Sequence, residues 1–260
     1  MNGLIKAVGG KGRIANKFII PKILPHRSWY DATYFGGSTT LKKKPSNVEV
    51  ACDANINIIR FNKLVQSKAT ALAGLVSTIP YEKAQFDWAE DWSNETDDLR
   101  FAAKYLIRSR FSRDGMMSSF VDSQRKRGNR PENQNVWFKM PESIMRYHNR
   151  IKNINFWNAV VGDLLPHVQY ESDSCTYIDL PYLMGERRSK NLYQIEADEA
   201  IHQDMLNKAI NCRGQVLISH YDHPMYNTML KSWSRYELPV KINMGVGDKN
   251  GRVEILWSNR

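Results

Sequence analysis

Residues 28–68 read SWYDATYFGGSTTLKKKPSNVEVACDANINIIRFNKLVQSK. Ser28 to Phe35 predicts a strand that runs into the pair Gly36-Gly37. Val48 to Cys52 predicts a second, shorter strand that ends at Asp53. Ile56 to Lys68 carries Ile58, Ile59, Asn62, Leu64 and Val65 at helical spacing. Strand, glycine turn, helix, strand and terminal acid is the order of a nucleotide-binding βαβ unit.

Upstream, Gly9-Gly10-Lys11-Gly12 reads as a loop, and Ala15 to Leu24 as a helix kinked or restarted at Pro21. Downstream the pattern changes. Trp88 to Asp98 is acidic and aromatic, and Leu99 to Phe111 reads as a helix. From Arg108 to Arg130 there are seven basic residues and two acids, a net +5, which is half of the +10 of all 260 residues. Such clustering favours an element that contacts phosphates over a merely solvated loop. The α/β pattern returns near Phe156, with strands expected at Cys175–Ile178, Gln215–Ser219 and Val253–Trp257. Helices are expected at Glu196–Asn211 and Tyr226–Trp233. The expected organisation is an α/β domain split by an insert: residues 1–65 and 151–260 form the two halves, and 66–150 the insert.

With 42% hydrophobic residues the chain can bury a sizeable core. No apolar run reaches the roughly 20 residues of a membrane helix, and the N-terminus does not read as a signal peptide. The expectation is a cytoplasmic protein. Three scattered cysteines, Cys52, Cys175 and Cys212, argue against a disulfide framework and a CxxC metal site. His220 and His223 beside Asp222 lack zinc-site spacing, so no metal is expected. The excess positive charge favours a polyanionic partner, nucleic acid rather than membrane.

The central motif is Asp179-Leu180-Pro181-Tyr182, closing an apolar strand. Ligands of open α/β sheets bind outside the carboxyl ends of strands. A carboxylate at Asp179 and the backbone carbonyl of Leu180 offer two acceptors for the hydrogens of an exocyclic amine. Held that way, the nitrogen is drawn toward tetrahedral geometry and its lone pair is freed. Pro181 stiffens the turn, and Tyr182 offers an aromatic face for an extruded base. Gly9-Gly10-Lys11 does not fit the phosphate loop, because Gly12 stands where Ser or Thr is required. The glycines of Phe35-Gly36-Gly37 lack the full dinucleotide fingerprint but admit a nucleoside close to the strand end. An acid at Asp53 can accept hydrogen bonds from ribose hydroxyls.

Seven segments in order, AVGGK (7–11), DATYFGGS (31–38), ACDANIN (51–57), AAKYLIRSRF (102–111), YIDLPYL (177–183), LISHYD (217–222) and EILWSN (254–259), cover nearly the full length. Together they resemble the Dam-type adenine-N6 DNA methyltransferases of bacteria and their phages. The resemblance implies a Rossmann-like methyltransferase sheet with helices on both faces and an inserted, mainly helical target-recognition domain. It implies S-adenosylmethionine as methyl donor, S-adenosylhomocysteine as product and double-stranded DNA as partner, bound by a monomer or weak dimer. Asp179, Leu180, Pro181 and Tyr182 fall at the family's catalytic positions. Ala7, Gly9, Gly10, Lys11, Phe35, Gly36, Gly37, Asp53 and Asp179 fall at its cofactor positions, and Asp31 is a candidate acidic partner of the glycine turn. Three positions depart from the pattern. Ala7 stands for an aromatic residue, Leu180 for the first proline of Asp-Pro-Pro-Tyr, and His220 for the asparagine of Ser-Asn-Tyr-Asp. Ser219 to Asp222 is expected to shape the base pocket.

Adenine N6 is paired within a duplex, so the base must leave the stack. Arg108, Arg110 and Arg113 on one side, and Arg125, Lys126, Arg127 and Arg130 on the other, are candidates for phosphate or guanine-edge contacts. Met116, Met117 and Phe120 either wedge into the vacated space or pack on the insert's own core. Arg187 and Arg188 sit in a loop expected to order over the substrate. Two rival readings stay open: a DNA-binding relative with impaired catalysis, and an N4-cytosine methyltransferase.

Overall fold

A computed structural model describes residues 1–6, 10–122, 126–127, 130–183, 197–239 and 253–260. In chain order the elements are β1 (Ser28–Asp31), α1 (Ser38–Lys42), β2 (Val48–Asp53), α2 (Ile56–Ser77), α3 (Lys83–Trp88), α4 (Asp98–Phe111), β3 (Lys126–Arg127), β4 (Arg130–Pro131), α5 (Glu132–Phe138), α6 (Met140–Ile151), β5 (Asn155–Asn158), α7 (Val161–Val168), β6 (Ser174–Ile178), α8 (Glu199–Ala209), β7 (Gln215–Tyr221), α9 (Pro224–Met229), β8 (Ser234–Pro239) and β9 (Val253–Ser258). They form two compact units. One comprises Met1–Gly12, Phe35–Lys42 and Ile56–Phe156, the other Arg13–Tyr34, Lys43–Asn55 and Trp157–Arg260.

The second unit is built on a seven-stranded sheet of order β5-β2-β1-β6-β7-β9-β8. β2, β1, β6 and β7 run parallel, while β9 is antiparallel to both β7 and β8. The protein is therefore α/β with a mixed, mostly parallel sheet. The central strands are buried on both faces, as parallel strands require, and alternation sorts their side chains. Tyr30, Val50, Ile178, Val216, Ile218, Ile255 and Trp257 face the apolar sides of α7, α8 and α9. Trp29, Cys175, Tyr177, Leu217 and Leu256 face Ile19. That residue ends a π-helical turn, Ala15–Ile19, followed by a 3-10 turn, Ile20–Lys22. The expected α-helix over this stretch is thus replaced by two tighter and looser turns. Pro21 lacks an amide hydrogen and breaks the ladder where the second begins.

β8 was not expected from the sequence. It is an edge strand whose Arg235 and Glu237 are exposed, while Tyr236 packs inward and Lys22 Nζ lies 4.0 Å from the centre of its ring. Charge on the exposed positions protects an edge but hides the strand from a search for apolar alternation.

The first unit is helical around an aromatic core. Phe61, Phe101 and Tyr105 pack together, and Phe111 meets Trp137 edge-on at 4.7 Å. α2 runs nine residues past its expected end at Lys68, where a non-helical φ of −130° kinks it. α2 and α6 are joined by polar groups. Asn62 accepts from the Tyr147 hydroxyl at 2.6 Å. Gln66 donates to the carbonyls of Ile151 and Ile154 (2.8 and 2.7 Å), satisfying groups left over at the end of α6. Asp97 caps α4 by accepting from Arg100 N–H at 2.8 Å. Among the described residues no helix is long and apolar enough to cross a membrane.

Candidate active site

The chain lays β2 beside one edge of β1 and later lays β6 and β7 beside the other. The direction of sheet growth reverses between β1 and β6, which makes this gap a topological switch point, where ligands of open α/β sheets bind. β1 ends there in Asp31, and Asp179 follows the last residue of β6. After the Ala32 amide bonds the Tyr177 carbonyl at 2.9 Å, the backbone turns, and the Tyr34 amide reaches back to the Cys52 carbonyl of β2 at 2.8 Å; β1 therefore stops at Asp31 rather than at the expected Phe35. Thr33, just beyond, accepts the Asp179 N–H through its hydroxyl at 2.7 Å. The carboxylate of Asp179 is half-buried, and its Oδ1 accepts from the Ser219 hydroxyl at 2.9 Å. Ser219 lies 2.9 Å from the Tyr177 hydroxyl. The single Ser219 proton goes to the carboxylate, so Tyr177 donates to Ser219. The result is a directed relay, Tyr177 to Ser219 to Asp179, within a nearly solvent-free wall.

The rest of the motif is held as firmly. Tyr182 is buried, stacks on Tyr221 at 3.8 Å, and donates its hydroxyl to Glu254 Oε2 at 2.8 Å. Tyr221 lies opposite Glu254 in the β7–β9 register, so the three residues close on one another. Burial, followed by the charges of Glu254 and Asp179, raises the Tyr182 pKa well above its ordinary value. Tyr182 therefore acts as a neutral donor. Its ring is stacked against the protein, and the half-buried Tyr221 is the outer member of the pair. Pro181 presents its carbonyl to His202 Nε2 of α8 at 3.1 Å. The partly buried Leu180 packs against the apolar cluster beneath the sheet.

Asp31 and Asp53 end β1 and β2. Asp31 is buried, and Asp53 is half-buried with Oδ1 accepting from Asn55 N–H at 2.8 Å. Between the two in sequence, the Cys52 thiol is pushed up to about 12, first by burial and then by the charges of Asp31 and Asp53. The ends of β1 and β2 thus bring two carboxylates near one buried thiol. Asp222 is tied to Arg235 and Asn227 (each 2.8 Å), and these bonds lower its pKa. His223 accepts the Met225 N–H at 3.3 Å and caps α9. Among the described residues no three His, Cys, Asp or Glu side chains form a metal-ligating group.

The remaining candidates lie in the helical unit or outside the described residues. Lys11 is buried and opens a 3-10 turn, with Gly10 exposed before it. Phe35 and Gly37 both have positive φ (38° and 60°), and the Gly37 carbonyl accepts the Leu41 N–H that starts α1. A Cβ on Gly3 would meet the Gly36 carbonyl at 2.4 Å, so the glycine turn is a place of close backbone approach. Ala7 and Gly9 fall outside the described residues, as do Arg125, Arg187 and Arg188. Lys126, Arg127 and Arg130 belong to the two-stranded β3–β4 ladder.

Arg108 and Arg110 are turned inward, contrary to expectation. Arg108 donates to the carbonyls of Phe86 and Met117 and lies 3.8 Å over the Phe86 ring. Arg110 donates to the carbonyls of Leu4 and Gly3, and burial lowers its pKa to about 10. The two guanidiniums leave α4 in different directions and each finds backbone acceptors, while Arg113, beyond the end of α4, is exposed. Phe120 packs on Tyr81, Phe86 and Phe111, and Met116 is half exposed. A cavity of about 540 Å³ in this unit, lined by Ile79, Tyr81, Trp137, Phe138 and Pro141 among others, contains none of the candidate residues.

Thr33, His202 and Glu254 were not singled out from sequence, although each touches the motif. Thr33 and Glu254 fall within segments of the family resemblance; His202 carries no local signal. Models of known protein families give no match to this chain, and no curated protein matches it significantly.

Proposed function

We propose that the chain is a site-specific DNA methyltransferase that moves a methyl group from S-adenosylmethionine to N6 of an adenine turned out of the duplex. The observation that carries the reading is the Asp179 carboxylate. It stands half-buried at the switch point, with its amide tied to Thr33 and one oxygen to Ser219. The α/β sheet is compatible with the Rossmann-like fold expected from the family resemblance.

The donor set at the strand ends fits the methyl donor, since carboxylates suit both its sulfonium charge and its ribose hydroxyls. Asp53 would accept from the ribose, and Asp31 ends the neighbouring strand beside it. When bound, S-adenosylmethionine supplies an electrophilic methyl carbon with a neutral thioether as leaving group. The chain's own part is positioning and electrostatics. Asp179 and the Leu180 carbonyl accept the two hydrogens of the adenine amine and aim its lone pair. Asp179, steadied by the hydroxyl relay, is placed to take up the proton that the amine loses. Tyr221, backed by the buried Tyr182 ring, forms the aromatic wall beside the base. The helical unit would grip the duplex through Arg113 and the basic β3–β4 segment, supplying the salt-dependent part of the affinity.

The reading is tested by expressing the protein in cells without adenine methylation of their own and sequencing their DNA with detection of modified bases. N6-methyladenine within one short sequence context is expected. Unmodified adenine throughout, or N4-methylcytosine instead, would contradict it.

A further inference from the structure

His202 is fully buried on the inner side of α8, in line with Met205, Leu206 and Ala209. An imidazole among apolar side chains is costly unless both nitrogens are satisfied. Here Nε2 lies 3.1 Å from the Pro181 carbonyl and Nδ1 2.6 Å from the Tyr226 hydroxyl. A carbonyl only accepts, so Nε2 carries the proton and Nδ1 accepts from Tyr226. Burial lowers the His202 pKa to about 4, which agrees with this neutral tautomer. The Tyr226 ring stacks on His220 at 4.5 Å, and His220 Nδ1 bonds the Tyr221 carbonyl at 2.9 Å. One cluster thus holds the turn after β6 and the end of β7.

The Leu180 and Pro181 carbonyls belong to successive peptide planes that meet at the Pro181 Cα. Only two rotations relate them. The pyrrolidine ring fixes φ, and the hydrogen bond from His202 fixes ψ. A proline at position 180 would stiffen the turn through the chain itself; Leu180 does not, and α8 supplies the restraint from outside. We propose that His202 is the positioning residue of the Asp179–Tyr182 turn, pinning the Pro181 carbonyl and thereby the aim of the Leu180 carbonyl at the substrate amine. The inference rests on the methyltransferase reading above.

The test compares His202→Ala and His202→Gln with the wild type, using labelled S-adenosylmethionine and unmethylated DNA, with thermal unfolding followed in parallel. His202→Ala should lower kcat roughly 10- to 100-fold, the scale of a misaimed reacting group. KM for the methyl donor and DNA affinity should stay within about twofold, because the lost contact acts in the transition state. His202→Gln restores an N–H toward the carbonyl and should return kcat to within about fivefold of the wild type. Should His202→Ala fail to fold, Tyr226→Phe removes the donor that selects the tautomer while keeping the ring, and a fall in kcat without a change in KM is again expected. With an active wild type, unchanged kcat in His202→Ala, or equal losses in the Ala and Gln variants, would overturn the inference and leave the methyltransferase reading standing. A wild type inert toward every DNA would remove that reading, and the inference with it.

Discussion

Replacing Ser219 by alanine removes the hydroxyl at the centre of the relay that holds the Asp179 carboxylate. The structure allows the effect to be divided. The bond from Ser219 to Asp179, at 2.9 Å, is charge-assisted and sits in a wall where Ser219 is 1% exposed. Such a bond contributes about 1.5–3 kcal/mol. At about 1.4 kcal/mol per tenfold in rate, its loss from the transition state would lower kcat roughly 10- to 100-fold. A second cost falls on stability alone. The buried Tyr177 hydroxyl loses its acceptor at 2.9 Å, a penalty of about 1–3 kcal/mol. Tyr177→Phe separates the two, since it removes that hydroxyl but leaves the bond to Asp179. Single-turnover methyl transfer and thermal unfolding, measured side by side, are the assays. Ser219→Ala should lose both rate and stability, and Tyr177→Phe chiefly stability. A Ser219→Ala enzyme turning over within about twofold of the wild type, or one matched in rate by Tyr177→Phe, would show that the relay does not serve the carboxylate.

Thr33→Val keeps the shape of the side chain but takes away the acceptor of the Asp179 amide. It should cost about 1–3 kcal/mol in chemical denaturation and slow methyl transfer, whereas Thr33→Ser should preserve both. Gly214→Ala would drive a Cβ to 2.1 Å from Ser174 Oγ and 2.7 Å from two carbonyl oxygens. Overpacking at the start of β7 should destabilise the protein by about 1–3 kcal/mol, visible as a lower Tm. The pH dependence of stability follows from His202. Its pKa is lowered from 6.5 to about 4 in the fold, so the unfolded chain binds the extra proton first. The contribution is complete above about pH 6.5 and is lost as pH falls toward 4, on the order of 3 kcal/mol in all. Unfolding measured from pH 7 to 4 should show the wild type losing this increment and His202→Gln lacking it.

Local periodicity made much of the sheet legible. β2, β6, β7 and β9 appear within two residues of their expected bounds, because strands buried on both faces are short apolar runs closed by polar residues. What escaped was non-local or masked by polarity. β8 carries Arg235 and Glu237 on an exposed edge. The early exit of β1 depends on the turn through Thr33 to Phe35, whose φ of 38° no strand pattern announces. α9 begins at Pro224 because proline suits a first helical position and His223 supplies the cap. Within the site, Asp179 and Ser219 were recognisable as strand-end residues. Thr33 meets Asp179 across 146 positions and Glu254 meets Tyr182 across 72, so no window along the chain brings either pair together. Arg108 and Arg110 illustrate the reverse error, since a run of charge in sequence says nothing about which guanidiniums find carbonyl acceptors inside the fold.

In the proposed function the Asp179 carboxylate holds and deprotonates an adenine amine. Purified wild-type protein and Asp179→Ala, each incubated with labelled S-adenosylmethionine and unmethylated double-stranded DNA, test that most directly. Label on adenine N6 is expected with the wild type, and at least a roughly thousandfold slower transfer by Asp179→Ala with DNA binding little changed. Normal turnover by the Asp179→Ala protein, or label on cytosine, would contradict it.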